Sequence, residues 1–426
     1  MQEFYSEHIL DNGLTVLLKE MHNAPLISHW IWYRVGSRNE VPGKTGVSHW
    51  VEHMQFKGTK KYPDGVLDRE ISRNGGIWNA FTYLDWTAFY ETMPADRIDL
   101  AIDLEADRMR GSLFDPEEVE TERTVVISER EGRENDPTFR LNEKIHKAVY
   151  QNHPYRTEVI GELDDLKSMT RDDLYEHYQT HYLPNNAVLA MAGDFDTDEM
   201  LHRIEVAYKD IPAGKVPEQD ILPAGPIEGP LTVRESGAAN VHLTRLTWRA
   251  PEGKNPDIFP LTILDSVLTG PSSLNMFGKG SISNGTSRLF RRLVDTGKSA
   301  GVGGGFSTTI DPSHYEIASV AAPGVPVEDL IGVIHEEIDD IIRNGIRPEE
   351  MEKARKQARA MFVYSSENIA NQAYWLGYSS MFADPAWYTD YLEKLNRVSE
   401  EDVSRLAERY FRPERCVTGI YSHSGA

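Results

Sequence analysis

The chain has 426 residues, 40% of them hydrophobic, and a formal net charge of −22 at pH 7. Such a length suits roughly two to three domains with proper cores. The acidic balance argues against a nucleic-acid-binding protein, which needs a basic surface to neutralise phosphates. A single cysteine, Cys416, excludes an internal disulfide and a cysteine-rich metal site, so any metal ligands must be histidines and carboxylates.

The sequence shows no sign of a membrane segment. No apolar run approaches the roughly 20 residues that a helix needs to cross a bilayer. Residues 1–7 contain neither the basic nor the apolar part of a secretory signal. We therefore expect no membrane association and a cytoplasmic location, which a single cysteine fits.

The two halves of the chain repeat one order of predicted elements. The first half predicts a hairpin over 7–20, a strand over 26–35, a helix, a second hairpin turning at 84–85, further helices and a strand over 187–192. The second half predicts strands within 231–248, a helix over 260–268, a hairpin over 301–321, helices over 326–343 and 348–365, and a strand over 416–421.

This repetition predicts an α+β fold with two homologous domains, each a mixed sheet with helices on one face. The segment 213–228 is rich in Pro and Gly and has no helical or strand period, which is typical of a linker. The predicted domains are therefore 1–212 and 229–426.

The first predicted helix carries the pattern His-x-x-Glu-His at His49, Glu52 and His53. Residues three or four apart share a helix face, so these three side chains point the same way. The apolar residues of the opposite face are Val47, Trp50, Val51 and Met54. The pattern arises by chance roughly 0.07 times in a chain of this composition, so alone it is only suggestive.

A second predicted helix supplies two more carboxylates. It starts with Asp115 as N-cap and Pro116 in the first turn. Glu122 and Glu129 share a stripe with two valines, so they face partly inward. A solvated acidic face explains the neighbouring glutamates better than it explains these two.

Together, the inverted motif and the two later glutamates resemble the pitrilysin family of zinc peptidases, which includes insulin-degrading enzyme and mitochondrial processing peptidase. The resemblance implies that His49, His53 and Glu129 bind one zinc ion. It also implies that Glu52 is the general base and that Glu122 holds an imidazole or a water in place.

The resemblance extends to residues 75–82, GGIWNAFT, which are similar to the family's Gly-Gly-x-x-Asn-Ala-x-Thr strand. It implies that Asn79, Ala80 and Phe81 belong to an exposed edge strand that pairs with an extended peptide substrate. Main-chain pairing would make the sequence preference broad.

One feature departs from the family. Many members carry an Arg and a Tyr in the second domain that bind substrate near the scissile carbonyl, and Val294 and Gly301 stand at those positions here. We therefore expect the catalytic subunit of a two-chain clamshell, with a homologous partner subunit that brings the Arg and Tyr. A homodimer would close the chamber but would contain no copy of the pair.

Three functional classes follow from these patterns. The first is a zinc endopeptidase or oligopeptidase, which the complete set of motif residues favours. The second is a non-proteolytic core or interaction subunit of the same fold. The third is a zinc hydrolase of non-peptide amides, which the same ligands would serve.

Overall fold

A computed structural model describes residues 4–271 and 283–425 of the chain. Its first half contains six strands: β1 Ser6–Ile9, β2 Thr15–Glu20, β3 Leu26–Tyr33, β4 Ile77–Thr82, β5 Thr87–Pro94 and β6 Ala187–Gly193. The helices of this half are α1 Val47–Met54, α2 Val66–Arg73, α3 Ile98–Gly111, α4 Pro116–Arg133, α5 Phe139–Tyr150, α6 Leu163–Ser168, α7 Arg171–His181 and α8 Thr197–Tyr208.

The second half follows the same order. Its strands are β7 Leu231–Gly237, β8 Leu243–Arg249, β9 Ser299–Phe306, β10 His314–Ala321 and β11 Val417–His423. Its helices are α9 Ile258–Leu268, α10 Val327–Asn344, α11 Pro348–Tyr364, α12 Ile369–Phe382, α13 Pro385–Thr389, α14 Tyr391–Arg397 and α15 Glu400–Tyr410. None of the helices in the described ranges is long and apolar enough to cross a membrane.

The chain forms two units, and each unit contains one mixed sheet. Unit 1 comprises Met1–Gly132, Thr157–Ile221 and Ser366–Tyr388. Unit 2 comprises Arg133–Arg156, Leu222–Ser365 and Thr389–Ala426. The strand order is β1-β2-β6-β3-β5-β4 in unit 1 and β7-β11-β8-β10-β9 in unit 2. Only β2–β6 and β7–β11 pair in parallel among the described strands.

In unit 1 the sheet packs on both faces. Successive side chains of a strand point to opposite faces, so Ile27 and Ile31 of β3 enter a core that also contains the apolar face of α1. Trp32 of β3 points the other way and packs edge-on against Tyr374 of α12. Gly377 of α12 lies so close to the Trp32 ring that any side chain there would collide with it.

Unit 2 repeats this arrangement with α5. Gly419 of β11 leaves room for Ile145 of α5, whose Cδ1 would lie 2.5 Å from a Cβ at Gly419. Elsewhere in the unit, Trp248 of β8 meets His335 of α10 with ring centroids 6.1 Å apart.

The predicted fold class, two α+β units with mixed sheets, is confirmed. The helices do not stay on one face, however, because α12 and α5 each cover a sheet built mostly from the other half of the chain. Each half of the chain therefore contributes a segment to the other unit. The predicted domains at 1–212 and 229–426, by contrast, are each one continuous stretch of chain. Between Tyr208 and Leu231 the chain forms neither helix nor strand.

Candidate metal centre and peptide-binding edge

The N-terminus of helix α1 is fixed by a glycine at the N-cap and by a carboxylate that accepts hydrogen bonds from its backbone. Gly46 has φ +86°, and a Cβ there would lie 2.5 Å from the Ile160 carbonyl oxygen, so the position requires glycine. The Glu40 carboxylate accepts hydrogen bonds from the backbone N–H of Gly46 at 2.7 Å and of Ser48 at 2.9 Å. These contacts satisfy donors at the helix N-terminus and fix its orientation.

His49 and His53 come together as their spacing predicts, and Glu129 lies beside them as the family resemblance implies. Nε2 of His49 and Nε2 of His53 each lie 3.7 Å from the same Glu129 oxygen. Among residues 4–271 and 283–425, these side chains form the only group of three or more that could hold a metal ion. Ligands about 2.1 Å from a tetrahedral zinc ion lie about 3.4 Å apart, so the group fits zinc after a small contraction.

Glu122 orients one of the imidazoles. Nδ1 of His53 donates a hydrogen bond to the Glu122 carboxylate at 2.7 Å, and the Lys57 ammonium donates to its other oxygen at 2.8 Å. The His53 hydrogen bond, with help from Lys57, lowers the pKa of Glu122 to about 2. An ionised Glu122 keeps the proton of His53 on Nδ1 and leaves Nε2 as the free ligand atom.

Glu52 lies buried beside the group and touches the edge strand. Its carboxylate accepts a hydrogen bond from Oγ1 of Thr82, the last residue of β4, at 2.7 Å. Burial raises the pKa of Glu52, against the opposing hydrogen bond from Thr82 and the charge of His53. A carboxylate with a raised pKa is a better proton acceptor near neutral pH.

Two arginines hold α4 and thus its glutamates in place. Arg123 donates to the carbonyl oxygens of Leu166 at 2.6 Å and Met169 at 2.8 Å, and its guanidinium lies 4.7 Å from the Trp50 ring. Arg130 donates to the Gly161 carbonyl oxygen at 2.6 Å. Each arginine directly follows one of the two glutamates, so a repeated Glu-Arg pair in the sequence marks both contacts.

The edge strand offers main-chain groups to a partner strand. The hydrogen bond from Tyr83 N–H to the Trp86 carbonyl oxygen, at 2.8 Å, sets the register of the β4–β5 hairpin. Antiparallel ladders alternate, so the main-chain groups of Trp78, Ala80 and Thr82 point away from β5. The Ala80 N–H accordingly meets not β5 but the Asn79 side-chain oxygen, at 2.9 Å.

The side chains of the edge strand divide between its two faces. Asn79 is exposed, and Ala80 is buried. Phe81 is half-buried and stacks on Tyr90 with ring centroids 6.0 Å apart. The three residues predicted to bind substrate thus lie at the open edge of the sheet, within three positions of Thr82 and its contact with Glu52.

The nearby arginines of the second half do not replace the missing Arg and Tyr. Val294 ends a short helical turn over Phe290–Val294, and Gly301 lies within β9. Arg288 is bound to Glu350 at 2.7 Å and Arg292 to Glu337 at 2.7 Å. Both guanidinium groups are therefore engaged within unit 2.

Known proteases and a processing-peptidase subunit are similar to this chain over nearly its whole length. Zinc protease PqqE of Helicobacter pylori is 27% identical over 96% of this chain and 90% of its own length. Mitochondrial-processing peptidase subunit beta of Lentinula edodes is 24% identical over 94% of this chain and 86% of its own. The crystal structure of a protease from Helicobacter pylori superposes with a TM-score of 0.90 at 25% identity, covering 98% of this chain and 99% of that one.

Two family descriptions divide the chain between them. Residues 15–162 match Insulinase (Peptidase family M16), and residues 168–358 match the Peptidase M16 inactive domain. The first segment contains every residue of the candidate metal centre. The chain belongs to the M16 peptidase family, the insulinase or pitrilysin family.

Proposed function

We propose that this protein is a zinc-dependent endopeptidase or oligopeptidase whose metal is held by His49, His53 and Glu129. The observation that carries the proposal is the convergence of both imidazoles on one Glu129 oxygen, with Glu52 buried beside them. The names of relatives such as the zinc protease PqqE support zinc as the metal.

The chemistry divides between the metal and the protein. Zinc at these ligands would supply a Lewis acid that polarises a carbonyl and makes water easier to deprotonate. Glu52 accepts the proton of the attacking water and returns it to the leaving nitrogen, since its buried carboxylate interacts electrostatically with His53 and Glu129 and burial raises its pKa. The Thr82 hydroxyl holds that carboxylate at the end of the edge strand.

An extended peptide is the substrate that this edge suits. It would pair with the outward main-chain groups of Ala80 and its neighbours, displacing the Asn79 oxygen from the Ala80 N–H. Because the pairing uses backbone atoms, it supplies binding without strong sequence preference.

We further propose that the active form contains a second, homologous chain. Val294 and Gly301 have no side-chain donors, and Arg288 and Arg292 are bound to acids of α11 and α10. The processing-peptidase relative is itself named as a subunit. A partner that carries the Arg and Tyr would complete the site, whereas a homodimer would not.

A cytoplasmic location remains a prediction, which cell fractionation tests.

The test compares the wild-type chain with Glu52→Gln, each tagged and isolated from its own cells with any bound partner. Both preparations should hold zinc. Glu52→Gln should hydrolyse a quenched-fluorescence peptide mixture slower by roughly three orders of magnitude, since an amide cannot carry the proton.

Zinc-loaded wild-type preparations that cleave no peptide would instead support the non-proteolytic core subunit. Equal rates in the wild type and Glu52→Gln would remove Glu52 as the base. Cleavage of simple amides but not peptides would favour the third class of hydrolase.

A further inference from the structure

Directly beneath the peptide-binding edge lies a buried charged cluster that the proposed chemistry does not use. Its members are His29, Glu91, Glu105 and Arg108, and none is more than 1% exposed. Arg108 donates to both Glu105 oxygens, and its Nη2 lies 3.6 Å from Glu91. His29 Nδ1 and a Glu91 oxygen share a hydrogen bond of 2.9 Å.

The cluster carries one fixed cation. Burial raises the pKa of Glu105 and of Glu91. Burial lowers the pKa of His29 to about 4, so its ring is neutral at neutral pH. Desolvation lowers the pKa of Arg108, but the adjacent Glu105 and Glu91 carboxyl groups more than offset it, so the guanidinium stays charged.

Aromatic rings surround this guanidinium. Its central carbon lies 4.1 Å from the ring centre of Phe89, 5.6 Å from that of Phe56 and 5.7 Å from that of Trp78. These distances fall within the range of cation–π attraction, which grows stronger when the cation is desolvated. Among the described residues, Nη1 of Arg108 meets no hydrogen-bond acceptor. The guanidinium therefore interacts with these rings through cation–π attraction in addition to its contacts with the two glutamates.

Two of these rings lie next to the two parts of the candidate site, one beside the metal-binding helix α1 and one on the edge strand β4. Phe56 follows α1, and its N–H donates to the carbonyl oxygen of His53 at 3.1 Å. Trp78 lies on β4, two residues before Ala80, and its ring centre is 4.8 Å from that of Phe56. Since β4 has a strand neighbour on one side only, its position depends on what packs beneath it.

We infer that Arg108 is a positioning residue that fixes the peptide-binding strand β4 against the metal-binding helix α1 through Trp78 and Phe56. A buried ion pair seldom stabilises a fold more than apolar residues of equal volume would. Its contribution here is instead the fixed spacing between β4 and His53. The inference rests on the proposed peptidase function, which it deepens.

The test replaces both residues of the buried ion pair, Arg108 and Glu105, in one variant. Arg108→Met with Glu105→Met removes both members of the ion pair and keeps the volume, and Glu91 keeps its hydrogen bond with His29, so the chain should fold and keep its zinc. Hydrogen exchange of the amides in 77–82 should become about tenfold faster, because the cation–π contacts to Trp78 are gone. The KM for an extended peptide should rise about tenfold with kcat changed less than about twofold.

Arg110→Met is the matched control. Arg110 lies on the same helix, but it donates to the Gln179 carbonyl oxygen at 3.2 Å. It should leave both the exchange of 77–82 and KM at wild-type values.

Unchanged exchange in 77–82 of the double variant would overturn the inference, and so would an unchanged KM. If the double variant does not fold, Arg108→Lys keeps the charge but loses the planar fork, and the same exchange must still accelerate. The exchange measurement needs no catalysis. A wild-type preparation that is isolated with its bound partner and cleaves no peptide would therefore refute the proposed function separately.

Discussion

At the scale of single residues, the hydrogen bond between His53 and Glu122 decides how one metal ligand presents its ring. Replacing Glu122 by Gln keeps the size but removes the anion that holds the His53 proton on Nδ1. Zinc affinity should fall about ten- to a hundredfold, measured by competition with a chelator.

Glu118→Gln provides the control for that experiment. Glu118 lies one turn earlier on the same helix, 3.7 Å from the same Lys57, and contacts no metal ligand in the described structure. Its variant should keep wild-type affinity. If both variants bind zinc as tightly as the wild type, Glu122 does not orient His53.

The residues of the centre could be predicted where one helix carries them. His49, Glu52 and His53 follow from helical spacing. The stripe on a second helix predicts that Glu122 and Glu129 face inward, and the family resemblance assigns them to the centre. Thr82, Lys57 and Arg108 were missed because each acts through a contact between elements that no local period encodes. The roles of the histidines and Glu129 as ligands, of Glu52 as base and of Glu122 as orienting group remain predictions.

At the scale of elements, the edge strand β4 makes its own prediction. Ala80→Pro removes an outward N–H and should weaken binding of an uncleaved extended peptide about tenfold or more, because proline cannot donate to a ladder. Zinc content should not change.

Ala80→Ser keeps the N–H at the same position and should bind the peptide like the wild type. Binding is best measured in the Glu52→Gln background, where the peptide survives. A folded Ala80→Pro variant with unchanged affinity would exclude strand addition at β4.

The contact between α12 and the sheet of unit 1 also predicts a change in stability. A side chain at Gly377 would enter the buried, stacked Trp32 ring, so Gly377→Ala should cost about 1–3 kcal/mol or more of unfolding free energy. Gly132→Ala is the counterpart in the same unit: nothing lies within 4 Å of a Cβ there, so it should gain up to about 1 kcal/mol.

Thermal melts of the two variants should therefore shift in opposite directions. Equal shifts would mean that α12 does not pack on Trp32 as described.

Most elements of the fold could be predicted, but not the placement of all of them. The hairpins and long helices follow from turn residues and periodicity, and β3 and β11 fall within two residues of their predicted ends. Helix α12 was missed because ten consecutive residues of it are buried, which leaves no polar face to mark its period. The partner of such a helix is set by tertiary packing alone.

At the scale of the whole molecule, the proposal of a two-chain enzyme predicts low activity for the isolated chain. Oxyanion donors contribute a few kcal/mol each, so adding the homologous partner should raise peptide hydrolysis about a hundredfold or more. The chain must first be shown by mass spectrometry to be free of homologous subunits. A pure chain that is already fast, and that the partner does not accelerate, would make the Arg and Tyr dispensable.

Zinc content tests the metal site itself, and it can be measured with or without a partner. After loading with zinc and removal of the excess, elemental analysis should find about one zinc per wild-type chain and less than about a tenth of that in His53→Ala. His202→Ala, which alters an exposed histidine of α8, should hold the wild-type amount. Wild-type zinc content in His53→Ala, or no zinc in the wild type, would contradict the assignment of His49, His53 and Glu129.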